Sequence, residues 1–512
     1  MFKRLLTVAG YTALSRVTGF LRDIIMAYVM GAGPMSDAFL VAFRLPNNFR
    51  AIFGEGAFNA AFLPRFAKMR TRDGHDAAAR FADRVFSWQM TFQLVLLIMA
   101  LAAMRYVIMA MAPGFSARPG QINLATDLAR IAFPYLIMTL VAVQLSAMLN
   151  AIEKFAAAAA WSIFLNIAMI ATLLSAHWFP NAGYAAAWGV FLAGVLQLLF
   201  IVWAAAKSHL HLHIHWPRWT PEMKEFLLAL GAATIGSASV QISLFIDNLI
   251  ASFLPSGDLT ALYYADRINQ LPMGTLGIAM GTVLLPEMAN RLAKNDVAGA
   301  HAAQNRVAAI GLMLTLPFVA AYIAVPLTIM RGLFAHGAFD LSAASVSAAA
   351  LTAYGIGLPA FVLVRIVQAT FYARDDTATP VRATLIAVAV NITLKFALVW
   401  GAHLGAVGIA LGTALGAWAN VTMLVWMARS RSLLSLDSVF TRAFGPTLLA
   451  AFAAGVGAFV GATLGGKLAL HPGLLHDVTV LALTIAVGGG CYFLTVVAFR
   501  RRLPIARLLG NR

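Results

Sequence analysis

The sequence predicts an all-α polytopic membrane protein of about 14 transmembrane helices. They form two six-helix lobes related by a pseudo-twofold axis along the membrane normal, plus two C-terminal helices. Three observations predict this. Hydrophobic residues fill 61% of 512 positions and charged residues only 11%, a composition foreign to soluble domains. Apolar segments of roughly 20 residues, the length of one spanning helix, recur about 14 times. The second half of the chain repeats the first at a nearly constant offset.

Turn and helix-breaking residues carry the repeat. Gly33-Pro34-Met35-Ser36 matches Gly257-Asp258-Leu259-Thr260, 224 positions on, and Phe62-Leu63-Pro64 matches Leu284-Leu285-Pro286 at 222. Pro134, Asn166 and Gly183 match Pro359, Asn391 and Gly408 at 225. Six spans per copy, an even number, give both copies one orientation and hence an axis along the membrane normal. The expected division is an N-terminal lobe over 1–215, a C-terminal lobe over 216–430, and a final helix pair with a basic tail over 431–512. Transporters of this plan hold substrate between the lobes and rock one lobe against the other.

The first span, 8–30, carries Arg16, Arg22 and Asp23 at bilayer depth. A charge there costs roughly 2.5–3.5 kcal/mol, so it is kept for a cavity, a substrate or a relay. Thr12, Arg16, Gly19 and Asp23 form a stripe, with Arg22 beside it. The second span, 36–60, holds Asp37, Arg44, Asn47, Asn48, Arg50 and Glu55. Spacings of 7, 4 and 7 from Asp37 through Arg44 and Asn48 to Glu55 amount to five helical turns, so these four share a face. Pro46 should bend the helix and free a carbonyl near that stripe. Each charge has two readings: an internal ion pair, such as Asp23 with an arginine, or the lining of a wet cavity. A whole polar stripe favours the cavity, because packed membrane interfaces use small residues.

Spans 86–112, 125–149, 159–178 and 183–206 are apolar and complete the first lobe. Beyond them His209, His211, His213 and His215 alternate with Leu210, Leu212 and Ile214. Alternation in an extended strand would align imidazoles for a metal; a solvated interfacial segment is the other reading. The seventh span, 226–253, contains Asp247. Both a sodium or proton site completed by Asn391 or Thr393 and pairing with an arginine are open for it. In the eighth span, 260–285, Tyr263, Asp266, Arg267 and Gln270 follow i, i+3, i+4, i+7 spacing and share a face. Arg267 then faces the same gap as Arg16, Arg22 and Arg44 if the lobes pack face to face. Arginine suits that place because its planar fork binds phosphate oxygens in pairs. Asp266 reads as a carboxylate that positions an arginine. Spans 305–330, 345–371, 380–401 and 405–428 complete the second lobe, and 442–465 and 476–499 follow. Cys491 is the lone cysteine, which excludes a disulfide framework and a thiolate metal site.

Charge sets the orientation. The formal net charge is +17, and the excess is concentrated in one set of loops. Arg65, Lys68, Arg70, Arg72, Arg80 and Arg84 follow the second span, whereas 31–35, 179–182 and 402–404 hold no lysine or arginine. By the positive-inside rule both termini are cytoplasmic. The same rule accounts for the basic total, so nucleic acid is not an expected partner.

Several of these motifs together carry a resemblance. Ser15-Arg16-Val17-Thr18-Gly19-Phe20-Leu21-Arg22-Asp23, Ser36-Asp37-Ala38-Phe39, Arg44-Leu45-Pro46-Asn47 and Glu55-Gly56-Ala57-Phe58 look like the MurJ/MviN family of lipid II flippases. So do Phe62-Leu63-Pro64, Tyr263-Tyr264-Ala265-Asp266-Arg267 and Asp376-Thr377-Ala378-Thr379-Pro380. The resemblance runs along the whole chain. It implies a bacterial inner-membrane protein of the MOP exporter superfamily that carries the undecaprenyl-pyrophosphate-linked peptidoglycan precursor, lipid II, to the outer leaflet. It also implies cavity roles for Arg16, Arg22, Asp37, Arg267, Arg44, Asn47, Arg50 and Glu55, and a groove for the polyprenyl tail on the last two helices. Gln270 stands where some members have a glutamate, which puts a fixed carboxylate there in doubt.

Physical reasoning fits that expectation. A pyrophosphate cannot cross hydrocarbon alone, whereas an isoprenoid tail is at home there. A laterally open cationic cavity would take the headgroup and leave the tail in lipid. A coupling ion (Na+, H+ or Cl−) and cell-wall synthesis proteins are candidate partners, and no cofactor is expected. A multidrug or organic-cation antiporter of the same superfamily is the competing transporter, but it would want carboxylates and aromatics in place of four arginines. A membrane scaffold would be favoured only if the polar stripes were closed ion pairs. No nucleophile–base signature, Walker loop or metal-ligand spacing supports an enzyme.

Overall fold

A computed structural model describes residues 2–51, 57–468, 471 and 473–504. Among them every regular element is helical. The chain splits into two compact units, Met1–Gly257 and Asp258–Arg512.

In the first unit the helices are α1 (Phe2–Met30), α2 (Pro34–Arg50), α3 (Ala57–Arg72), α4 (His75–Met111) and α5 (Gln121–Ala132). They continue with α6 (Tyr135–Ala151), α7 (Phe155–Ala160), α8 (Ile163–Leu174), α9 (Ala182–Ala206) and α10 (Pro221–Ser252). The second unit contains α11 (Asp258–Ala293), α12 (Val297–Ala324), α13 (Pro326–Phe334) and α14 (Leu341–Tyr372). It ends with α15 (Ala378–Phe396), α16 (Gly405–Ser430), α17 (Ser438–Gly466) and α18 (Leu474–Ala498).

Eleven helical stretches among the described residues are long and apolar enough to cross a membrane. The expected spans outside that number correspond to α1, to α2 with α3, and to α10. The first of these contains Arg16 and Arg22, and α2 contains Asp37, Arg44 and Arg50, so their low hydropathy has the same source as their interest. Glu55, the last residue of the second-span stripe, lies outside the described residues. α2 continues helically through Pro46 to Arg50.

An aromatic core anchors one end of the first unit. Phe62 is stacked 5.1 Å from Phe58, 5.4 Å from Phe66 and 5.7 Å from Phe81, and Phe226 meets three of these rings edge-on. Burying each ring contributes roughly 1.5–3 kcal/mol. This cluster ties α3 and α4 to the start of α10. The far end of α10 is tied as well. Ser252 Oγ accepts from the Gly114 N–H at 3.0 Å, and Arg118 donates to the Leu254 carbonyl. A Cβ at Gly114 would collide with the Ser252 backbone, so only glycine allows this approach. The sequence repeat groups α10 with the second lobe by homology, while its packing lies within the first unit.

In the second unit Tyr264 is buried between Phe334 and Phe339, with ring centroids at 4.8 and 5.2 Å. This seats α13 and the following turn against α11. α17 and α18 meet through Gly457, Gly461 and Gly465, where a Cβ would stand 2.8–3.0 Å from Cys491, Leu483 and Val480. Small residues at four-residue spacing let membrane helices approach closely, and Cys491 is a packed member of that seam.

Candidate functional site

The most fully built polar cluster joins α1 to α8. Arg22 and Asp23 are 6% and 3% exposed. Arg22 donates to Asp23 Oδ1 through Nε at 3.1 Å and Nη2 at 2.7 Å, and to Asn166 Oδ1 through Nη1 at 3.2 Å. The Asn166 amide in turn donates to the Ser15 carbonyl and Thr18 Oγ1, both at 3.0 Å. Nearest neighbours on a helix do not normally face each other. Here both side chains turn into the α1–α8 seam, and Asn166 fixes the guanidinium plane. Of the two readings open for Asp23, this is the ion pair. Arg16 lies apart from it and is exposed.

The α2 residues divide among four settings. Asp37 is buried and accepts the Gly257 N–H at 2.7 Å. Gly257 has φ +94, and a Cβ there would stand 3.2 Å from the Ala32 backbone, so the carboxylate holds a turn that only glycine makes comfortably. Arg44 donates to Asn248 Oδ1 on α10, and Asn248 is fully buried. Arg50 donates to Asn47 Oδ1 at 2.9 Å one turn back. Asn48 lines an apolar cavity of about 420 Å³ with Phe49, Met111, Gln241 and Phe245. The stripe inferred from spacing is therefore engaged with several different partners rather than with one.

In the second unit Arg267 donates to Tyr263 Oη through Nε at 3.0 Å and Nη2 at 2.8 Å, with its guanidinium carbon 4.8 Å from that ring's centroid. Asp266 accepts from the Gln270 amide. Tyr263 with Arg267 and Asp266 with Gln270 thus form i, i+4 contacts along α11, where the sequence suggested an arginine as the partner of Asp266. Asn391 is buried against Gly416, where a Cβ would stand 2.6 Å from its own Cβ. Thr393 is exposed and donates to the Ala389 carbonyl at 3.0 Å. The two lie on different sides of α15. Asp247 belongs to the first unit and is half-buried.

Residues 211–215 of the histidine run lie outside any helix and are strapped to α4. Asp83 Oδ1 accepts the His213 N–H at 2.9 Å, and Ser87 Oγ accepts the His215 N–H at 2.9 Å. Asp83 Oδ2 also lies 3.4 Å from His213 Nδ1 and 3.6 Å from His215 Nε2. Successive imidazole centroids from His211 to His215 stand 6.5 and 6.3 Å apart with the rings tilted. No group of three metal-ligating side chains occurs among the described residues.

Four residues escaped the sequence reading as site members: Asn166, Asn248, Asp83 and Lys395. Lys395 is fully buried in α15, one turn beyond Asn391, and packs on Gly412 as Asn391 packs on Gly416. Two glycines four apart on α16 facing two polar residues four apart on α15 was the available signal.

Against known proteins, the family described as "Lipid II flippase MurJ" matches residues 26–473. A Rhizobium tropici protein called "Probable lipid II flippase MurJ" is 39% identical over 507 residues, 98% of this chain and 94% of its own. The Burkholderia cenocepacia "Lipid II flippase MurJ" is 34% identical over 444 residues, 85% of this chain and 84% of its own. Among solved structures, "Lipid II flippase MurJ, inward closed conformation" matches with a TM-score of 0.80 at 22% identity, covering 97% of this chain and 99% of the other. An inward-facing MATE family multidrug transporter of the MOP superfamily matches at 0.70 with 16% identity, over 84% of this chain and 98% of the other. Those two likenesses establish the fold. On the extent of the family match and the identity to its members, the chain belongs to the MurJ lipid II flippase family.

Proposed function

We propose that this chain is a lipid II flippase of the bacterial inner membrane. It moves the undecaprenyl-pyrophosphate-linked peptidoglycan precursor from the inner to the outer leaflet by alternating access, with both termini cytoplasmic. Family membership over residues 26–473 carries this reading. The chemistry of the chain supports it. Arginines are placed at bilayer depth, where each is costly, and their forks suit the oxygens of a pyrophosphate. Lobes over 1–215 and 216–430 rock about a shared axis, and the helices in 431–512 guide the polyprenyl tail.

Within this mechanism Arg16 and Arg267 are the receiving cations. Arg22 is held in reserve by Asp23 and Asn166, and an incoming phosphate oxygen replaces the Asp23 carboxylate. Arg44, Arg50, Asn47 and Asn48 line the path, while Asp37, Glu55 and Asp266 are gating carboxylates. An empty cationic cavity is drawn inward by an inside-negative potential, at about 2.3 kcal/mol per charge per 100 mV. Binding the anion cancels that pull and permits the outward swing. Asp247, completed by Asn391 or by Thr393, is the candidate site for a coupling cation. The cycle needs no cofactor and makes or breaks no covalent bond. The multidrug-antiporter alternative has only the shared MOP fold in its favour.

Replacing Arg267 tests the reading. Arg267→Ala should abolish growth when the native flippase is depleted, with the variant still folded in the membrane. Arg267→Lys should rescue only partly, because an ammonium lacks the fork. Normal growth on Arg267→Ala would remove this residue from the substrate path.

A further inference from the structure

The orientation proposed above puts the α6–α7 turn and the C-terminal end of α9 on the cytoplasmic side. Between them, beside Thr7 of α1, lies an open cavity of about 410 Å³. None of the arginine clusters contributes to it. Its walls are mostly apolar, from Leu149, Phe155, Ala157 and Ala204. Its rim is cationic. Lys154 Nζ donates to Ser208 Oγ at 2.9 Å, and Lys207 Nζ stands 5.4 Å from the centroid of the Trp203 ring. Glu153 is also on the rim, so two lysines exceed one carboxylate by a single positive charge.

The cavity ends a longer feature. Trp188, Leu192, Leu199 and Trp203 are all exposed, and their spacing places them on one face of α9. At 1.5 Å per residue that face runs along most of a bilayer's hydrocarbon thickness. In a membrane it meets acyl chains. Trp203, 60% exposed, sits where the face gives way to ammonium groups, the level at which tryptophan prefers to lie.

We propose that this cavity binds the phosphate headgroup of an anionic glycerophospholipid from the cytoplasmic leaflet. Lys154 and Lys207 take the phosphate, Trp203 marks the headgroup level, and one acyl chain lies along the exposed face of α9. A free phosphate would use the lysines but leave the apolar walls wet. A zwitterionic lipid would fit the walls but bring its own cation to the lysines. The volume suits a headgroup rather than a whole lipid, and basic pockets between helices on the cytoplasmic side favour such groups. Only the orientation is borrowed from the flippase reading; the binding test below needs neither orientation nor transport.

The purified full-length chain in lipid nanodiscs or mild detergent is titrated with phosphatidylglycerol, phosphatidylcholine or inorganic phosphate. Native mass spectrometry counts retained lipids, and thermal unfolding is followed through the Cys491 thiol. Phosphatidylglycerol should be retained and should raise the unfolding temperature, while phosphatidylcholine and inorganic phosphate do neither. The Lys154→Gln/Lys207→Gln pair should bind phosphatidylglycerol roughly thirtyfold more weakly, the combined effect of two lysines at an anionic surface. Lys154→Arg/Lys207→Arg should keep binding, and Glu153→Gln should tighten it. Undiminished phosphatidylglycerol retention by the folded glutamine pair would overturn the site. Equal stabilisation by inorganic phosphate would replace the lipid with a soluble anion and likewise overturn the proposal.

Discussion

Removing the Asp23 carboxylate isolates what the Arg22 cluster does. Asp23→Ala deletes one oxygen that accepts two guanidinium hydrogen bonds, at 3.1 and 2.7 Å, and leaves Arg22 with Asn166 at 3.2 Å. The side chains of the pair are 7% and 4% exposed, so water cannot replace what is lost. Hydrogen bonds to charged groups contribute about 1.5–3 kcal/mol each, and breaking a buried ion pair from one side costs about 3–5 kcal/mol. The single variant should therefore lose roughly 3–5 kcal/mol, seen as a clear fall in the temperature at which Cys491 becomes reactive to a thiol dye. The Arg22→Leu/Asp23→Leu pair removes both charges, and similar replacements of buried ion pairs are neutral or stabilising by about 1–4 kcal/mol. Its unfolding temperature should return to that of the unmodified protein or exceed it. The double variant should nevertheless fail to support growth, because the phosphate ligand Arg22 is gone. A stable double variant that sustains growth after depletion of the native flippase would make this cluster purely structural and refute the reserve-cation role of Arg22.

Two further outcomes test orientation and local stability. With Cys491→Ala as background, a membrane-impermeant thiol reagent added outside should label Ala32→Cys and spare His75→Cys; the opposite pattern would invert the proposed orientation. Asp376 accepts from Thr379 Oγ1 at 2.7 Å, from the Thr379 N–H at 2.9 Å and from Arg431 at 3.0 Å. These contacts, the Thr379 side chain foremost, hold its pKa below the ordinary carboxylate range. A depressed pKa means stability that is present above the unfolded value near 3.9 and lost as pH falls through the folded value. Asp376→Asn should cost up to about 1 kcal/mol at pH 7, the worth of a partly exposed ion pair such as that with Arg431, and the gap to the unmodified protein should close on acidification below about pH 4. A gap independent of pH would assign the loss to something other than the carboxylate charge.

The sequence exposed the costly residues and hid their partners. Arg22 and Asp23 are conspicuous because charge within an apolar run needs a reason. What distinguishes a closed pair from an open cavity is Asn166, 144 positions away. As an uncharged residue in an apolar run, it raised no alarm and stood out only as a repeat marker. Asn248 was hidden in the same way behind its neighbour Asp247. Asp83 lies in the first turns of a 37-residue helix that is longer than a membrane needs, where an acid looks merely solvated. Only the backbone of 213–215 crossing α4 reveals that Asp83 is buried. Lys395 falls near the end of its predicted span, where a lysine is usually read as reaching for the interface. Glycines on α16 instead let it pack at full burial. Periodicity thus located helices and faces, because both are local properties. It could not say which faces were filled, because that depends on residues brought together by folding.

The repeat makes this difference instructive, because corresponding positions have acquired different chemistry. Pro134 separates α5 from α6, whereas its counterpart Pro359 lies inside an unbroken α14. Proline removes one backbone hydrogen bond in either place and costs about 3 kcal/mol in a helix interior, so the second unit tolerates through packing what the first resolves by a break. Asn166 and Asn391 diverge in a parallel way. Asn166 meets α1 and holds a guanidinium, while Asn391 meets Gly416 of α16, one turn from a buried lysine. If the two halves were interchangeable walls around one anion, both asparagines would serve arginines. Their divergence instead assigns them different work: the first unit stores a cation against its own carboxylate, and the second carries a cation packed into its helix seam. A transporter that must return empty gains from such asymmetry. The repeat axis runs along the membrane normal and maps each state onto itself, so it is the charge each unit holds that lets a membrane potential or a bound anion choose between the inward and outward states.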